Sequence, residues 1–367
     1  MSESVRLLKE FHATEHFGSR ENLLRQQARA ADLYRSLDPG DIRELARHAI
    51  DSCVPDTIGV TEDILLRLAC FQPGSLDEFY GTLVDLGIMY PGVIFQGADA
   101  AIAGRMLGLV SAENADHLLQ TLAWIGDDVV RGAFNRWRAE PPGWAAKLFI
   151  PPHRYAAQAG WELTPQGNRR ELFVRECRPL VGADDPTKVG GVTVAGPHEE
   201  TCRWCDHALT TLIDLDLSSP GLAFLGLKGR RLRIGTCVVC ACYGPIFTTI
   251  DPDGASTWHP ENRRPDYLPD RSEPWAPIPA DGLALGGAAR GWLEAADPAL
   301  EGVRFSQVGG CPTWEQDAEY PPCPECHRPM PFVAQLSNAD YQSYGEGFYY
   351  MFACDRCGVA ATVYQQT

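Results

Sequence analysis

Eight of the chain's thirteen cysteines fall into four Cys-x-x-Cys pairs, Cys202/Cys205, Cys237/Cys240, Cys323/Cys326 and Cys354/Cys357. Any fold of the second half of the chain has to satisfy them. Two thiolates two residues apart on a tight turn grip one tetrahedral cation from the same side, and a second such pair closes the site with four sulfurs. The pattern of apolar strand, knuckle and second strand occurs twice, in RLRIGTCVVCACYGPIFT (231–248) and in FYYMFACDRCGVAATVY (348–364). We therefore expect two closed sites, each holding a structural Zn²⁺, one on Cys202, Cys205, Cys237 and Cys240 and the other on Cys323, Cys326, Cys354 and Cys357. Thirty-one residues separate the two pairs of the first set and twenty-seven those of the second. Both gaps exceed the usual ribbon spacing of about 15–20, so each site should enclose a full strand excursion. Cys242 competes with Cys240 for the fourth place in the first set; Cys240 keeps the two-residue spacing. Gly358 supplies a left-handed turn position after Cys357, and Pro324 sits inside the Cys323 turn.

A chain of 367 residues, 45% hydrophobic, can bury a sizeable core and divide into two or three domains. Arg6, Lys9 and Glu10 interrupt any secretory core at the N-terminus, and no apolar run approaches the roughly 18–20 residues that span a bilayer. Paired thiols in this number fit a reducing compartment, so a cytoplasmic location is expected, with no membrane contact. A net charge of −16 with only four lysines, Lys9, Lys147, Lys188 and Lys228, argues against a nucleic-acid binder. The same charge either keeps the chain soluble or complements a basic protein.

Residues 1–177 read as helices. Asp38-Pro39-Gly40-Asp41 starts a helix with Ile42, Leu45, Ala46 and Ala49 on one face. Ser75-Leu-Asp-Glu78 has the form of a capping box before Leu76, Phe79, Tyr80 and Leu83. Asn114 is placed to cap a helix carrying Leu118, Leu119, Leu122 and Ala123, which stops near Gly126; Asp127 or Asp128 caps the next, with Val130, Ala133, Phe134 and Trp137. Such hairpins build either a HEAT-like array or a compact irregular bundle, with Trp124, Trp137, Trp144 and Trp161 in the core. Turn formers replace the helical period over 178–200, read as a linker, and 201–367 as a mostly β domain carrying the metals. The expected fold class is α+β.

Within that domain TLIDLDL (211–217) and RLRI (231–234) alternate as half-exposed strands, with Asp214 and Asp216 facing Arg231 and Arg233. His198, Glu199 and Glu200 stand beside Cys202 and could join a mixed metal site, although four cysteines already suffice. Cys53, Cys70, Cys177 and Cys311 read as small buried hydrophobes. Residues 252–300, with Pro265, Pro269, Pro274, Pro277 and Pro279, read as a long ordered loop anchored by Trp258, His259, Tyr267 and Trp275. No nucleophile triad, HExxH, phosphate-cradling loop or deaminase signature is present.

The element Gly309-Gly310-Cys311-Pro312-Thr313-Trp314, with Gln316-Asp317, Met330 to Leu336 and the aromatic strand Phe348 to Phe352, resembles the YwqG-like family of bacterial proteins. That family is in turn similar to the C-terminal part of programmed cell death protein two. The resemblance covers the last third and implies a mostly β domain without catalytic residues, in an immunity protein or an assembly factor. Three functions are expected on these grounds: stoichiometric immunity to a bacterial toxin with a basic surface, a folding or assembly chaperone, and a metal-dependent enzyme. Trp314, Glu315, Asp317 and Glu319 are the candidate partner contacts, with Trp314 read rather as a core residue than as an exposed one.

Overall fold

The computed structural model describes residues 2–14, 19–54, 58–269, 278–280, 282–300, 302–341 and 345–366. The chain forms two compact units, residues 1–171 with 296–303, and residues 172–295 with 304–367. The fold is α+β, helical first and sheet-rich afterwards.

The first unit contains α1 (Glu3–Ala13), α2 (Arg20–Arg35), α3 (Pro39–Asp51), α4 (Ile58–Phe71), α5 (Tyr80–Leu86), α6 (Ala100–Leu107), α7 (Ala115–Ile125) and α8 (Asp128–Ala139). A short hairpin comes next, β1 (Trp161–Leu163) with β2 (Arg169–Glu171). The α3 start is built as its residues dictate. Asp38 Oδ1 accepts from the N–H groups of Gly40 and Asp41 at 2.7 and 2.9 Å, Pro39 takes the first helical position, and Ile42, Leu45, Ala46 and Ala49 are buried. Gly126, at φ 55°, ends α7, and Asp127 caps α8 through Val130 N–H. The helices are of unequal length, from seven to sixteen residues; a 3-10 segment at Gly92–Phe95 interrupts their succession, and two more, Gly143–Lys147 and Pro152–Ala159, follow the last. That irregularity fits a bundle better than an array of equal repeats.

Two expected caps form differently. The helix after Ser75 starts only at Tyr80, with Phe79 at its N-cap and no side-chain cap, because Ser75 Oγ is committed to Leu68 O at 3.2 Å. Asn114 does precede α7, but its Oδ1 accepts from Ser111 N–H, closing the preceding turn instead. Of the four tryptophans only Trp161 is fully buried, stacked on Phe134 at 5.7 Å with its Nε1 donating to Ala123 O; Trp124, Trp137 and Trp144 are half-buried.

The unit also holds a buried ionic cluster. Asp63 lies 3.2 Å from His12 Nδ1 and accepts from Arg67 Nε at 2.9 Å, while His12 Nε2 is 2.7 Å from the buried Tyr34 hydroxyl. Arg67, only 2% exposed, reaches on to Gln27 and to the carbonyl of Ala299. Three helices and the returning segment 296–303 are thereby held in register by charge as well as by packing.

The second unit comprises β3 (Cys177–Gly182), β4 (Val192–Thr201), β5 (Ala208–Asp216), β6 (Arg231–Thr236), β7 (Ile246–Ile250), β8 (Ser256–Trp258), β9 (Leu283–Leu285), β10 (Gln307–Gly309), β11 (Phe332–Ser337), β12 (Phe348–Cys354) and β13 (Val359–Gln365). Eight strands form one antiparallel sheet in the order β8-β7-β13-β12-β11-β10-β3-β9; β4-β5-β6 form another. The stretch 178–200 is therefore not a linker: most of β3 and β4 lie in it, β3 paired with β10 and β9, remote in sequence, and β4 forming a hairpin with β5. The first unit also ends at 171, short of the expected 177.

The alternation of β12 explains why it is buried throughout. Tyr349, Met351 and Ala353 join the main core with residues of the three-stranded sheet, such as Leu212, Ile213 and Ile234. Tyr350 and Phe352 face the other way, onto Trp314 and Tyr320. A period of two with both faces covered reads in sequence as one continuous apolar run.

The Gly309-Gly310 element has a steric cause. Both residues sit at positive φ, 66° and 75°, and a Cβ on Gly309 would lie 2.2 Å from Glu176 O, one on Gly310 2.7 Å from Cys177 Sγ. The close approach lets Gly310 N–H reach the carbonyls of Val174 and Glu176. Downstream, buried Gln335 accepts from Thr313 N–H at 2.9 Å and donates to Phe305 O, so the 311–320 segment is strapped across the sheet.

Candidate metal centres

Each half-site is a turn shaped by its own backbone. In the first pair Cys202 N–H donates to His207 O, Asp206 N–H returns to Cys202 O, and Asp206 adopts φ 63°. In Cys323/Cys326 the same bonds recur, Cys323 N–H to Arg328 O and His327 N–H to Cys323 O, with His327 at φ 57°. Asp and His are among the few side chains that tolerate that left-handed position. The second pairs lie at strand ends: Ala241 N–H bonds Cys237 O after β6, and Gly358 N–H bonds Cys354 O after β12, with Gly358 at φ 65° as its residue type requires.

Folding brings the pairs together as the spacing predicts. The sulfurs of Cys202, Cys205, Cys237 and Cys240 all lie within 4.8 Å of one another, and so do those of Cys323, Cys326, Cys354 and Cys357. Tetrahedral coordination with metal–sulfur bonds near 2.3 Å requires sulfurs about 3.8 Å apart. The measured separations are 3.9 Å for Cys202–Cys240, 3.5 Å for Cys205–Cys237 and 3.8 Å for Cys326–Cys354. The donor sets fit a divalent cation such as zinc. Cys242 is excluded from the set: it is exposed and donates to Val239 O.

Electrostatics points the same way. Cys202 is drawn down to about 2, first by the hydrogen bond from Cys237 and then by that from Cys240, whereas Cys237 is pushed up to about 12 by its bond to Cys202. Cys240 is likewise pushed up, its bond to Cys202 leading. One thiolate thus forces its neighbours to keep their protons, and a dication between them is what allows all four to ionise.

The two copies diverge beyond the second knuckle. After Cys357 a single glycine separates the turn from β13, which folds back on β12 as a hairpin. After Cys240 a 3-10 turn, Ala241–Tyr243, and Gly244-Pro245 carry the chain away, so β6 stays with β5 and β7 pairs with β13. The first half-sites are tied to one loop. Trp204, inside the Cys202/Cys205 turn, packs edge-to-face on Trp258 at 5.5 Å and its carbonyl accepts from Arg264 at 2.5 Å. Glu325, inside the Cys323/Cys326 turn, lies 3.4 Å from Nε2 of buried His259. Nothing in the cysteine spacing points to these supporting residues. The loop expected at 252–300 thus carries β8 and β9; Trp258 and His259 are buried anchors, Tyr267 is exposed, and Trp275 lies outside the described residues.

Neither His198 nor its acidic neighbours join a metal set. His198 Nδ1 accepts from Glu200 N–H at 3.0 Å and Nε2 is 2.8 Å from Ser256 Oγ, while the Glu200 carboxylate accepts from Trp258 N–H. Burial lowers the His198 pKa. A neutral ring with Nδ1 accepting carries its proton on Nε2, so it donates to Ser256 and cannot take that hydroxyl's proton. Asp214 takes both Arg231 (2.5 Å) and Arg233 (3.0 Å), whereas Asp216 turns to Ser218. Among the candidate contacts, Trp314 is 8% exposed and belongs to the core; Glu315 is half-buried, with its N–H on Tyr350 OH, and Asp317 and Glu319 are exposed. Cys70, Cys177 and Cys311 are buried as expected, and Cys53 is half-buried.

Over 343 residues the chain is 38% identical to a Salmonella typhimurium (strain LT2) protein described as uncharacterized protein YpfL, a match covering 92% of this chain and 80% of that one. The chain belongs to the YpfL family. A match of that extent has to include parts of both units, so the helical unit and the sheet unit come together in the YpfL family. No family model and no solved structure matches the chain. No helix among the described residues is long and apolar enough to cross a membrane.

Proposed function

We propose that this protein acts in the cytoplasm without catalysis, by stoichiometric binding to a protein, and that its leading role is immunity: occupation of a bacterial toxin with a basic surface. The observation that carries the reading is the composition of the metal sets. Each has four sulfurs from four cysteines, which leaves no coordination position for water or substrate. Two zinc ions then hold shape. The net charge of −16 favours encounter with a basic partner, and the resemblance of the last third to YwqG-like proteins supports the same class. Glu315, Asp317 and Glu319 form the proposed contact; Trp314 supports it from beneath. Co-expression with the toxin encoded beside it tests the reading: protection and a one-to-one complex on gel filtration are expected, and absence of both overturns it.

A chaperone role is the second reading, favoured by β4. This ten-residue strand pairs only with β5 among the described residues, so its other edge offers backbone groups to a client strand, although Pro197 blunts it. Suppression of a client's aggregation at equimolar protein, with no toxin protection, would favour this alternative. A metal-dependent enzyme stands third, since it needs an open coordination position.

A further inference from the structure

The two four-cysteine sets differ in how they are embedded. Cys202, Cys237 and Cys240 are each 0% exposed and belong to the main hydrophobic core, together with Trp204; Val238 and Val239, between the second pair, pack against that core. None of the second set belongs to it. There Cys323 and Cys354 are buried but Cys326 and Cys357 are both half-buried, against Cys205 alone in the first set, and the residues inside the turns, Glu325, Asp355 and Arg356, are exposed. Arg328, two residues after Cys326, is exposed as well. A half-buried cysteine sulfur in an exposed turn is reachable by small oxidants.

We propose that the second set, Cys323, Cys326, Cys354 and Cys357, is an oxidation-sensitive site that gives up its cation to peroxides while the first set keeps its own. The inference rests on zinc being bound at both sets. The Cys326 thiolate attacks hydrogen peroxide: an S–O bond forms, the O–O bond breaks, and hydroxide leaves and is protonated to water. Cys354, its sulfur 3.8 Å away, then attacks the sulfenic sulfur; an S–S bond forms, the S–O bond breaks, and a second hydroxide leaves as water. Two electrons pass from the cysteines to the peroxide and two protons are consumed. Cys323 and Cys357, left as two thiolates, no longer hold a cation. Loss of the site frees the turn joining β12 to β13, where Cys354 and Cys357 lie, and leaves the Cys202 site in its core.

The test uses the full chain as isolated, with metal counted by mass spectrometry before oxidation. Hydrogen peroxide is then added with a metallochromic dye, and disulfides are mapped by peptide mass. Release of one metal per chain in a fast phase, with the disulfide among residues 323–357, is the expected result, the second metal following several-fold more slowly. Two metals lost in a single phase, or a first disulfide among Cys202, Cys205, Cys237 and Cys240, would overturn this inference and leave the zinc reading standing. Fewer than two metals per chain at the outset would overturn both.

Discussion

Trp314 separates a structural role from a contact role, and its surroundings set the size of the effect. Its ring centroid lies 4.6 Å from Tyr350, 5.2 Å from Tyr320 and 6.4 Å from Phe352. Truncating such a core residue to alanine costs about 3–5 kcal/mol, and each lost ring pair accounts for about 0.5–1.5 kcal/mol of it. One contribution opposes this. The buried indole Nε1 has no hydrogen-bond partner among the described residues, and removing an orphaned donor returns about 1–3 kcal/mol. Trp314→Ala is therefore expected to lose about 2 kcal/mol, or about 4–8 °C of melting temperature at roughly 2–4 °C per kcal/mol for a unit of this size. Trp314→Phe keeps the stacking and removes the orphan, so it should fall within about 1 kcal/mol of the wild type. Thermal unfolding followed by near-UV circular dichroism, at saturating zinc, measures both. Equal losses for the two variants, or an alanine variant that melts within about 2 °C of wild type, would refute the packing argument. If partner binding also survives in Trp314→Phe, the indole is not itself a contact.

Other expectations are as direct. Asp63→Asn leaves buried Arg67 without its carboxylate and should cost about 3 kcal/mol, the low end for a broken buried pair because the Asp63 side chain is 32% exposed; Asp63→Asn/Arg67→Met should recover part of this in urea melts. Burial raises the Asp63 pKa, but His12 and Arg67 outweigh it and hold the carboxyl below its ordinary value. Its stabilisation is accordingly present above about pH 4 and lost as pH falls through the lower folded value; a stability–pH curve below pH 4 no steeper than that of Asp63→Asn would contradict this. Cys240→Ser should lose one metal per chain and Cys242→Ser none, by elemental analysis. Changing Glu315, Asp317 and Glu319 together to their amides should leave melting almost unchanged, weaken partner binding, and flatten its dependence on salt. An unaltered affinity in calorimetry would remove that stretch as the contact.

The metal sets were legible in the chain because their information is local: a turn of four residues presents two sulfurs whatever surrounds it, and the pairing of turns needs only that there be four. The α3 start, the Gly126 stop and the Asp127 cap were legible for the same reason, each being a contact within a few residues. Where a residue had two local options, the tertiary structure chose. Ser75 and Asn114 carry capping side chains but found other partners, Leu68 O and Ser111 N–H, and the helix boundaries adjusted to them. Turn-rich composition over 178–200 hid two strands, because a strand's pairing energy comes from partners outside it: β10 and β9, far along the chain, for β3, and the neighbouring β5 for β4. Residue type alone makes Trp314 core more readily than contact, and what buries it is tertiary: Gln335 and Tyr350 strap the 311–320 segment onto the sheet. Likewise the two sets are near copies in sequence, and only their surroundings, a hydrophobic core for one and exposed turns for the other, make them chemically unequal, since access belongs to the folded environment and not to the motif.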